Sequence, residues 1–326
     1  MALLEIDNLS IGYRTRRGLV TAVDGIGFSL ERGRSLGLVG ESGCGKTTIG
    51  KALMGLLPSN AAVLGGSIRF DGIQLAGATE SVLQSVRWDR IAMIFQAAMN
   101  ALNPVHTVGA QVIEALLTHR PEMSRAEAAD RVRELFGLVG IPEGRSSDYP
   151  HHYSGGMKQR AVIAMALACS PELIIADEPT TALDVIVQDQ ILKQIRALQD
   201  DLGISILFIS HDISVVADVC HDIGVMYAGQ IIEYGSRKEV FERPAHPYTR
   251  ALLGSFLSLM QDPGMAEGLP GAPPDLADVP AGCRFCERCC VGGESCRVET
   301  PQWFHLSEKH HVLCCAEGLQ AGRGRP

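Results

Sequence analysis

A glycine-rich stretch at residues 40–48, Gly-Glu-Ser-Gly-Cys-Gly-Lys-Thr-Thr, has the residue types and spacing of a phosphate-binding loop. Its three glycines let the backbone curl so that successive N–H groups face a phosphate, and the following helix adds the positive end of its dipole. The Lys46 ammonium is expected to reach the β- and γ-phosphates, and the Thr47 hydroxyl to bind Mg²⁺. Scattered glycines would be ordinary turn residues, but the complete pattern predicts a phosphate site.

A pair of carboxylates, Asp177 and Glu178, ends an apolar segment that begins at Leu173. Adjacent charges at the end of a buried strand are unfavourable unless they hold a cation or do chemistry. We expect Asp177 to bind Mg²⁺ through water and Glu178 to polarise the attacking water as a general base. Taken alone, the pair would be more typical of a solvated loop, and the phosphate loop favours the catalytic interpretation.

A histidine, His211, follows another apolar segment, Ile204–Ser210. Ligands of open α/β sheets collect at this edge, so we expect His211 to contact the γ-phosphate. A lone histidine at a strand end is more often a cap or core residue.

A second anion site is indicated by Ser154, Gly155 and Gly156. Ser154 is a good N-cap, and the two glycines leave backbone amides open at a helix start. An ordinary capped helix would be the plain interpretation. One chain has little use for two triphosphate sites unless the second serves a nucleotide held by another subunit. The pattern therefore predicts a dimer with the nucleotide between subunits.

Alternating strand and helix signals indicate an α/β fold with parallel strands and crossover helices. The strand signals are at Leu3–Leu9, Ile26–Leu30, Ser35–Val39, Leu173–Ala176 and Ile204–Ile209. The helical signals are at Val108–Leu117 and Arg125–Leu138, inside a helical insertion from Ala97 to about Ala168, and at Val187–Leu198. A proline- and glycine-rich linker at residues 263–280 precedes a cysteine-rich tail.

Composition excludes several classes of protein. With 326 residues, 46% hydrophobic and 20% charged, the chain is an ordinary globular sequence rather than a disordered or fibrous one. A net charge of -8 without a basic run argues against wide nucleic-acid binding. The amino terminus lacks a signal-peptide pattern, and no apolar run approaches the roughly 18 to 20 residues of a membrane span. We therefore expect a cytosolic chain that reaches a membrane only through a partner.

Taken together, these motifs make the chain similar to the nucleotide-binding subunit of an ATP-binding cassette (ABC) transporter. The Q-loop glutamine matches Gln96, the signature begins at Ser154, and the D-loop ends at Asp184. The resemblance implies an α/β P-loop NTPase cassette with a helical subdomain at about 97–168 and a short cysteine-rich C-terminal extension. The signature departs from the common form, with Tyr153 in place of Leu and Met157 in place of Gln.

The resemblance also assigns roles to individual residues, with ATP and Mg²⁺ as cofactors. The catalytic residues would be Glu178, His211 and Lys46. ATP would be bound by Tyr13, Gly40, Ser42, Gly43, Cys44, Gly45, Lys46, Thr47, Thr48 and Gln96. Mg²⁺ would be bound by Thr47, Gln96 and Asp177. A partner's ATP would be bound by Ser154, Gly155 and Gly156, with Asp184 in the D-loop. Tyr13 would stack on adenine; a surface tyrosine is its alternative.

Finer features resemble the D-type ATPase of dipeptide and oligopeptide importers. These are Leu102-Asn-Pro104 and the His246–Leu253 segment, together with the Ser-Gly-Gly-Met signature. The resemblance implies an ATPase domain at 1–250 and an importer-type extension at 251–326. It also implies a second ABC ATPase, two membrane permease subunits and an extracytoplasmic solute-binding protein as partners, at the cytoplasmic face of the membrane. Nickel and glutathione are alternative cargoes; a soluble non-transport ABC ATPase and a metal- or redox-sensing ATPase are alternative functions.

Cysteines are concentrated near the carboxyl end, where a reducing cytosol favours a metal or redox site over disulfides. Cys283, Cys289, Cys296 and Cys314 resemble the C-x5-C-x6-C-x17-C arrangement that carries a [4Fe-4S] cluster in some importer ATPases. Zinc, with histidines such as His305, His310 and His311 nearby, and a free-thiol tail are the alternatives. The additional cysteines Cys286, Cys290 and Cys315 leave the ligand choice open.

Overall fold

The computed structural model describes residues 2–96, 101–181, 183–261 and 269–315, with the side chains of 255–261 left aside. Parts of four predicted features lie outside these residues. They are the start of the helical subdomain (97–100), Ala182 of the D-loop, the first part of the linker (263–268) and the end of the extension (316–326).

Strands and helices alternate along most of the chain. The strands are β1 (Ala2–Thr15), β2 (Gly18–Glu31), β3 (Ser35–Val39), β4 (Ala61–Phe70), β5 (Ile73–Gln74), β6 (Ile91–Ile94), β7 (Leu173–Asp177), β8 (Ser205–Ser210), β9 (Asp222–Tyr227), β10 (Gln230–Ser236), β11 (Gln302–His305) and β12 (His311–Cys314). The helices are α1 (Lys46–Leu53), α2 (Glu80–Val86), α3 (Val108–His119), α4 (Arg125–Leu138), α5 (Gly155–Ala166), α6 (Val185–Leu202), α7 (Ile213–Val219), α8 (Arg237–Glu242), α9 (Pro247–Gln261) and α10 (Ser295–Val298).

The chain divides into two compact units. The first unit contains Glu31–Ser35 and Ala78–Ile209, and the second contains Ala2–Leu30, Leu36–Gly77 and the residues from Ser210 onward.

The first unit is built on the parallel strands β6, β7 and β8. β7 lies between the other two, and every residue of the three strands is buried. Such strands are apolar on both faces because crossover helices cover the sheet. Helix α4 spans the predicted residues because a capping box at Ser124 and Glu127 fixes its start. Helix α6 is longer than predicted, since Asp184 caps its start and Gly203, with a φ of 66°, ends it.

The second unit contains an antiparallel sheet in the order β2-β1-β4-β5 and a group of strands around β9. β3 pairs in parallel with β9, and β9 pairs in antiparallel fashion with β10. β1 and β2 are much longer than their apolar segments predict, because pairing between strands extends them past those segments.

The cysteine-rich extension joins this second group of strands. β12 pairs with β10 through Glu233 opposite Val312 and Tyr234 opposite His311, and β11 completes the hairpin. Beneath it, the fully buried Glu233 carboxylate accepts hydrogen bonds from the backbone N–H groups of Ala245 and His246, at 2.7 and 2.8 Å. The sequence indicated an appended tail; in the structure the tail continues a sheet.

Within the part of the chain that the structure describes, no helix combines the length and apolarity that a bilayer crossing requires.

Candidate functional site

The phosphate loop lies in the second unit between β3 and α1. β3 is buried along its length and leads into Gly40, where an added Cβ would lie 2.1 Å from the Met226 carbonyl oxygen. Gly45 occupies the N-cap of α1 with a φ of 105°, and its Cβ would lie 2.5 Å from the Ala22 carbonyl oxygen. Both positions therefore require glycine for backbone direction and for space.

The Lys46 side chain is buried and folded back over its own loop. Its Nζ donates to the carbonyl oxygens of Gly40 at 2.7 Å and Glu41 at 3.0 Å, and lies 3.5 Å from the Cys44 sulfur. Burial raises the pKa of the Cys44 thiol, so this cysteine is protonated at neutral pH. The loop therefore holds its ammonium group among backbone dipoles, at the start of a helix that favours anions.

Tyr13 of β1 lies beside the same helix. Its hydroxyl forms a 3.0 Å hydrogen bond with the Thr48 hydroxyl, in the first turn of α1. This contact places an aromatic ring next to the phosphate loop; stacking on adenine stays a prediction. Ser42 and Gly43 are exposed on the loop, and Thr47 is half-buried.

His211 also lies in the second unit, at an exposed position directly after β8. The following residue, Asp212, caps α7 by accepting a hydrogen bond from the Ser214 backbone N–H at 2.8 Å. The capped helix fixes the backbone next to the histidine, and the γ-phosphate contact stays a prediction.

The predicted carboxylates lie in the first unit, where β7 ends. Asp177 is 1% exposed, and Glu178 follows in a left-handed conformation with a φ of 49°. Such a conformation costs a non-glycine residue about 1 to 2 kcal/mol and is typical of functional sites. Gln96 Nε2 and Thr181 Oγ1 both donate to Glu178 Oε2 at 2.9 Å. The structure thus brings the predicted Q-loop glutamine and the predicted general base into contact.

The signature segment starts helix α5, also in the first unit. Ser154 is exposed and its hydroxyl accepts a 3.3 Å hydrogen bond from the Met157 backbone N–H. The adjacent Tyr153 ring is buried, and its hydroxyl donates to the Arg145 carbonyl at 2.8 Å. Because the buried Tyr153 hydroxyl has a hydrogen-bond partner, the structure accommodates tyrosine where the common form of the signature has leucine. A Cβ on Gly156 would lie 2.8 Å from a Val187 methyl group, so a larger residue here would require Val187 to move.

The D-loop residue Asp184 lies at the start of helix α6. Its carboxylate accepts a 3.0 Å hydrogen bond from the Val187 backbone N–H and so caps α6. The two residues that follow, Val185 and Ile186, are 81% and 72% exposed. Two adjacent apolar side chains are therefore exposed next to the D-loop aspartate.

The four cysteines predicted as metal ligands lie close to one another in the second unit. Burial, followed by the neighbouring Cys283, Cys289 and Cys296, raises the pKa of Cys314 to about 12. The Cys283 backbone N–H donates to the Cys296 carbonyl at 2.8 Å. Among the described residues, however, no group of three or more His, Cys, Asp or Glu side chains is arranged to hold a metal ion. A [4Fe-4S] cluster bound by these cysteines stays a prediction.

One contact at the phosphate loop was missed by sequence reasoning. Glu41, inside the loop, forms an ion pair with Arg288 of the extension. Local patterns hold no signal for it, because the two residues are 247 positions apart.

Sequence profiles of known families match most of the chain. The profile described as ABC transporter matches residues 23–181, and the profile described as Oligopeptide/dipeptide transporter, C-terminal region, matches residues 232–296. The dipeptide transport ATP-binding protein DppD of Bacillus subtilis is 44% identical over 322 residues, covering 98% of this chain and 96% of the relative. This chain belongs to the ABC transporter family. The resemblance inferred from the motifs is therefore confirmed.

Other members of the ABC transporter family show the same relationship. The oligopeptide transport ATP-binding protein OppD of Salmonella typhimurium is 44% identical over 301 residues, covering 92% of this chain and 89% of the relative. The dimeric structure of the ATP-binding cassette MJ0796 in a post-hydrolysis state, bound to ADP and Pi, superposes with a TM-score of 0.64 at 26% identity. It covers 72% of this chain and 98% of that one.

A further solved structure, cbiO1 of Clostridium perfringens, part of the ABC transporter complex cbiONQ, has a TM-score of 0.65 at 27% identity. It covers 81% of this chain and 97% of that one. These similarities confirm the predicted ABC cassette fold. The chain is an ATPase, and ATP with Mg²⁺ is its expected cofactor pair.

Proposed function

We propose that this chain is the ATP-hydrolysing subunit that powers peptide import through a multisubunit ABC transporter. The observation that carries the proposal is the family match beyond the cassette. Residues 232–296 match the C-terminal region of oligopeptide and dipeptide transporters, and relatives over nearly the full chain are named for dipeptide or oligopeptide transport. This match favours the importer over a soluble ABC ATPase or a sensor, and favours peptides over nickel or glutathione.

In the proposed reaction, the phosphate loop and Lys46 bind the triphosphate. Thr47, Gln96 and Asp177, the ligands that the family resemblance assigns, would hold the Mg²⁺, which would offset the negative charge of the phosphates. Glu178 takes a proton from the attacking water, whose oxygen bonds to the γ-phosphorus as the bond to ADP breaks. The hydrogen bonds from Gln96 and Thr181 support this role because they fix the orientation of the Glu178 carboxylate. His211 contacts the γ-phosphate.

A second ABC ATPase subunit completes each site. The exposed Ser154 at a helix start supports this, since the first backbone N–H groups of a helix have no partner within the helix and favour an anion. Exposed Val185 and Ile186 beside the D-loop add apolar surface for a partner to cover. Two permease subunits and an extracytoplasmic solute-binding protein are the remaining partners, and they hold the chain at the cytoplasmic face of the membrane.

Reconstitution tests the proposed transport. The chain is co-expressed with its second ATPase and the two permease subunits, purified as a complex and placed in liposomes with the binding protein. We expect labelled dipeptide or oligopeptide to accumulate only when ATP is present at the ATPase side, and unlabelled peptide to compete better than nickel or glutathione. A chain that hydrolyses ATP but neither co-purifies with the permeases nor supports uptake would contradict the proposal.

A [4Fe-4S] cluster on Cys283, Cys289, Cys296 and Cys314 is a separate prediction. The chemistry of the donor set supports it, because four thiolates are the usual ligands of an iron–sulfur or a zinc site. We expect the anaerobically purified full chain to contain iron and sulfide, and to lose both when the four cysteines are changed to serine. The exposed Cys290 provides the control, since Cys290→Ser should keep the iron. Zinc without iron would support the alternative metal, and absence of both would contradict a metal site.

A further inference from the structure

The phosphate loop contains a carboxylate that the extension neutralises. Glu41 is the second residue of the loop, and both of its oxygens accept hydrogen bonds from Arg288. Arg288 Nη1 donates to Oε2 at 2.8 Å, and Nη2 donates to Oε1 at 2.8 Å. This two-point contact is the strongest geometry available to an arginine and a carboxylate.

Arg288 is itself tightly held. Its Nε donates to the Pro270 carbonyl at 2.8 Å, and Nη1 also donates to the Tyr227 hydroxyl at 3.3 Å. The guanidinium carbon lies 5.7 Å from the centre of the Tyr227 ring, and the side chain is only 6% exposed. The short 3₁₀ turn Cys286–Arg288 carries this residue. A buried arginine with this many fixed partners has little freedom to swing away from Glu41.

The backbone of Glu41 is fixed from two more directions. Its N–H donates to the Tyr248 hydroxyl at 3.1 Å, and its carbonyl accepts the 3.0 Å hydrogen bond from Lys46 Nζ. A contact chain therefore runs from Arg288 through Glu41 to Lys46. All of these residues belong to the second unit.

An aromatic cluster supports the same arrangement. Phe285 of the extension packs edge-on against Tyr227 and Tyr248, with ring centres 5.2 and 5.4 Å apart. Tyr227 and Tyr248 pack against each other at 4.9 Å. The extension thus packs against the same two tyrosines whose hydroxyls contact Arg288 and Glu41.

The negative charge of Glu41 makes its contact with Arg288 important for nucleotide binding. A free carboxylate inside an anion-binding loop would repel a triphosphate, and partial burial would strengthen that repulsion. Arg288 removes this repulsion by pairing with Glu41, and its rigid two-point geometry keeps the carboxylate turned toward the extension.

We propose that Arg288 is a positioning residue for the phosphate loop, and that by neutralising and fixing Glu41 it raises the affinity for ATP. The extension is then part of the nucleotide site. This inference rests on the proposed role of the loop in ATP binding.

A charge-rescue experiment on the full-length chain tests the inference, with ATP as the probe in equilibrium binding. Arg288→Ala is expected to weaken ATP binding by roughly threefold to thirtyfold, the range of typical coupling between contacting networks and a site. At saturating ATP the turnover number should change little. Arg288→Lys should recover part of the affinity, because a single ammonium keeps the charge but not the two-point contact.

The double variant separates positioning from simple damage to the fold. Adding Glu41→Gln to Arg288→Ala removes the unpaired carboxylate and is expected to restore much of the lost affinity. If Arg288 only stabilised the fold, the double variant would bind ATP more weakly still, since the loss from Glu41→Gln would add to the loss from Arg288→Ala.

Arg284→Ala is the matched control. Arg284 lies in the same extension, is partly buried, and pairs with Asp24 rather than with a residue of the phosphate loop. It should lower thermal stability without lowering ATP affinity.

Unchanged affinity in Arg288→Ala, or additive losses in the double variant, would overturn the inference. Lys46→Ala distinguishes this outcome from failure of the proposed loop function. If Lys46→Ala abolishes ATP binding while Arg288→Ala does not weaken it, only the inference is wrong. If Lys46→Ala binds ATP like the native chain, the role of the loop itself is wrong.

Discussion

Replacing Glu178 with Gln is expected to slow ATP hydrolysis by about a hundredfold to ten-thousandfold, the usual contribution of a general base. The amide has nearly the shape of the carboxylate but cannot take a proton from water at neutral pH. ATP binding should persist, because the phosphate loop is unchanged. The readouts are the turnover number and the dissociation constant for ATP, measured on the same preparation.

The design must account for a second ATP site in the assembled transporter. The partner's site is therefore disabled in the same complex, so that residual turnover reports on Glu178 alone. Glu172→Gln is the control, because Glu172 precedes the same strand, β7, and forms ion pairs with Arg32 and Arg90. It should keep native turnover. Native turnover in the Glu178→Gln complex would remove this residue from the catalytic step.

Replacing Gly45 with Ala is expected to weaken ATP binding by roughly fivefold to more than a hundredfold, equivalent to about 1 to 3 kcal/mol of local strain. The φ of Gly45 is 105°, and its new methyl group would lie 2.5 Å from the backbone oxygen of Ala22. A backbone atom cannot rotate aside as a side chain can. The first turn of α1 would therefore have to shift, together with Lys46, which follows directly.

Gly43→Ala is the matched control for this substitution. Gly43 also has a positive φ, of 82°, but its Cβ would meet none of the described atoms within 4 Å. It bears the conformational penalty without the collision, so its ATP affinity should fall much less. The measurements are the dissociation constant for ATP and the melting temperature of both variants. Equal losses would show that the contact with Ala22 has no special role.

Elements with strong local signals could be predicted from sequence. Helix α4 begins and ends where its periodicity predicted, because Ser124 and Glu127 form a capping box within four residues of chain. The phosphate loop was predictable for the same reason, since its glycines, lysine and threonines act within one short segment. Strand β1 was harder, because its length depends on pairing with β4, whose partner residues are distant in the chain.

The candidate site was predictable residue by residue but not as a set of contacts. Sequence assigned Gln96 and Glu178 to separate motifs, and only the structure shows them joined at 2.9 Å. The cysteine spacing suggested a self-contained tail, yet β12 pairs with β10 and extends an existing group of strands. Sequence patterns did not indicate this, because a short strand has no local feature that names its partner.

The sequence by itself determined the chemistry of this protein: a phosphate loop, a strand ending in two carboxylates, a capped glycine pair and a thiol-rich end. Each is specified by residues a few positions apart, where backbone geometry and capping act directly. Tertiary structure alone decided that Arg288 neutralises Glu41 across 247 positions. With 29 basic and 37 acidic residues in the chain, charge permits very many pairs. Only packing of the extension against the phosphate loop selects this one, because it holds the buried Arg288 side chain within hydrogen-bond distance of both Glu41 oxygens.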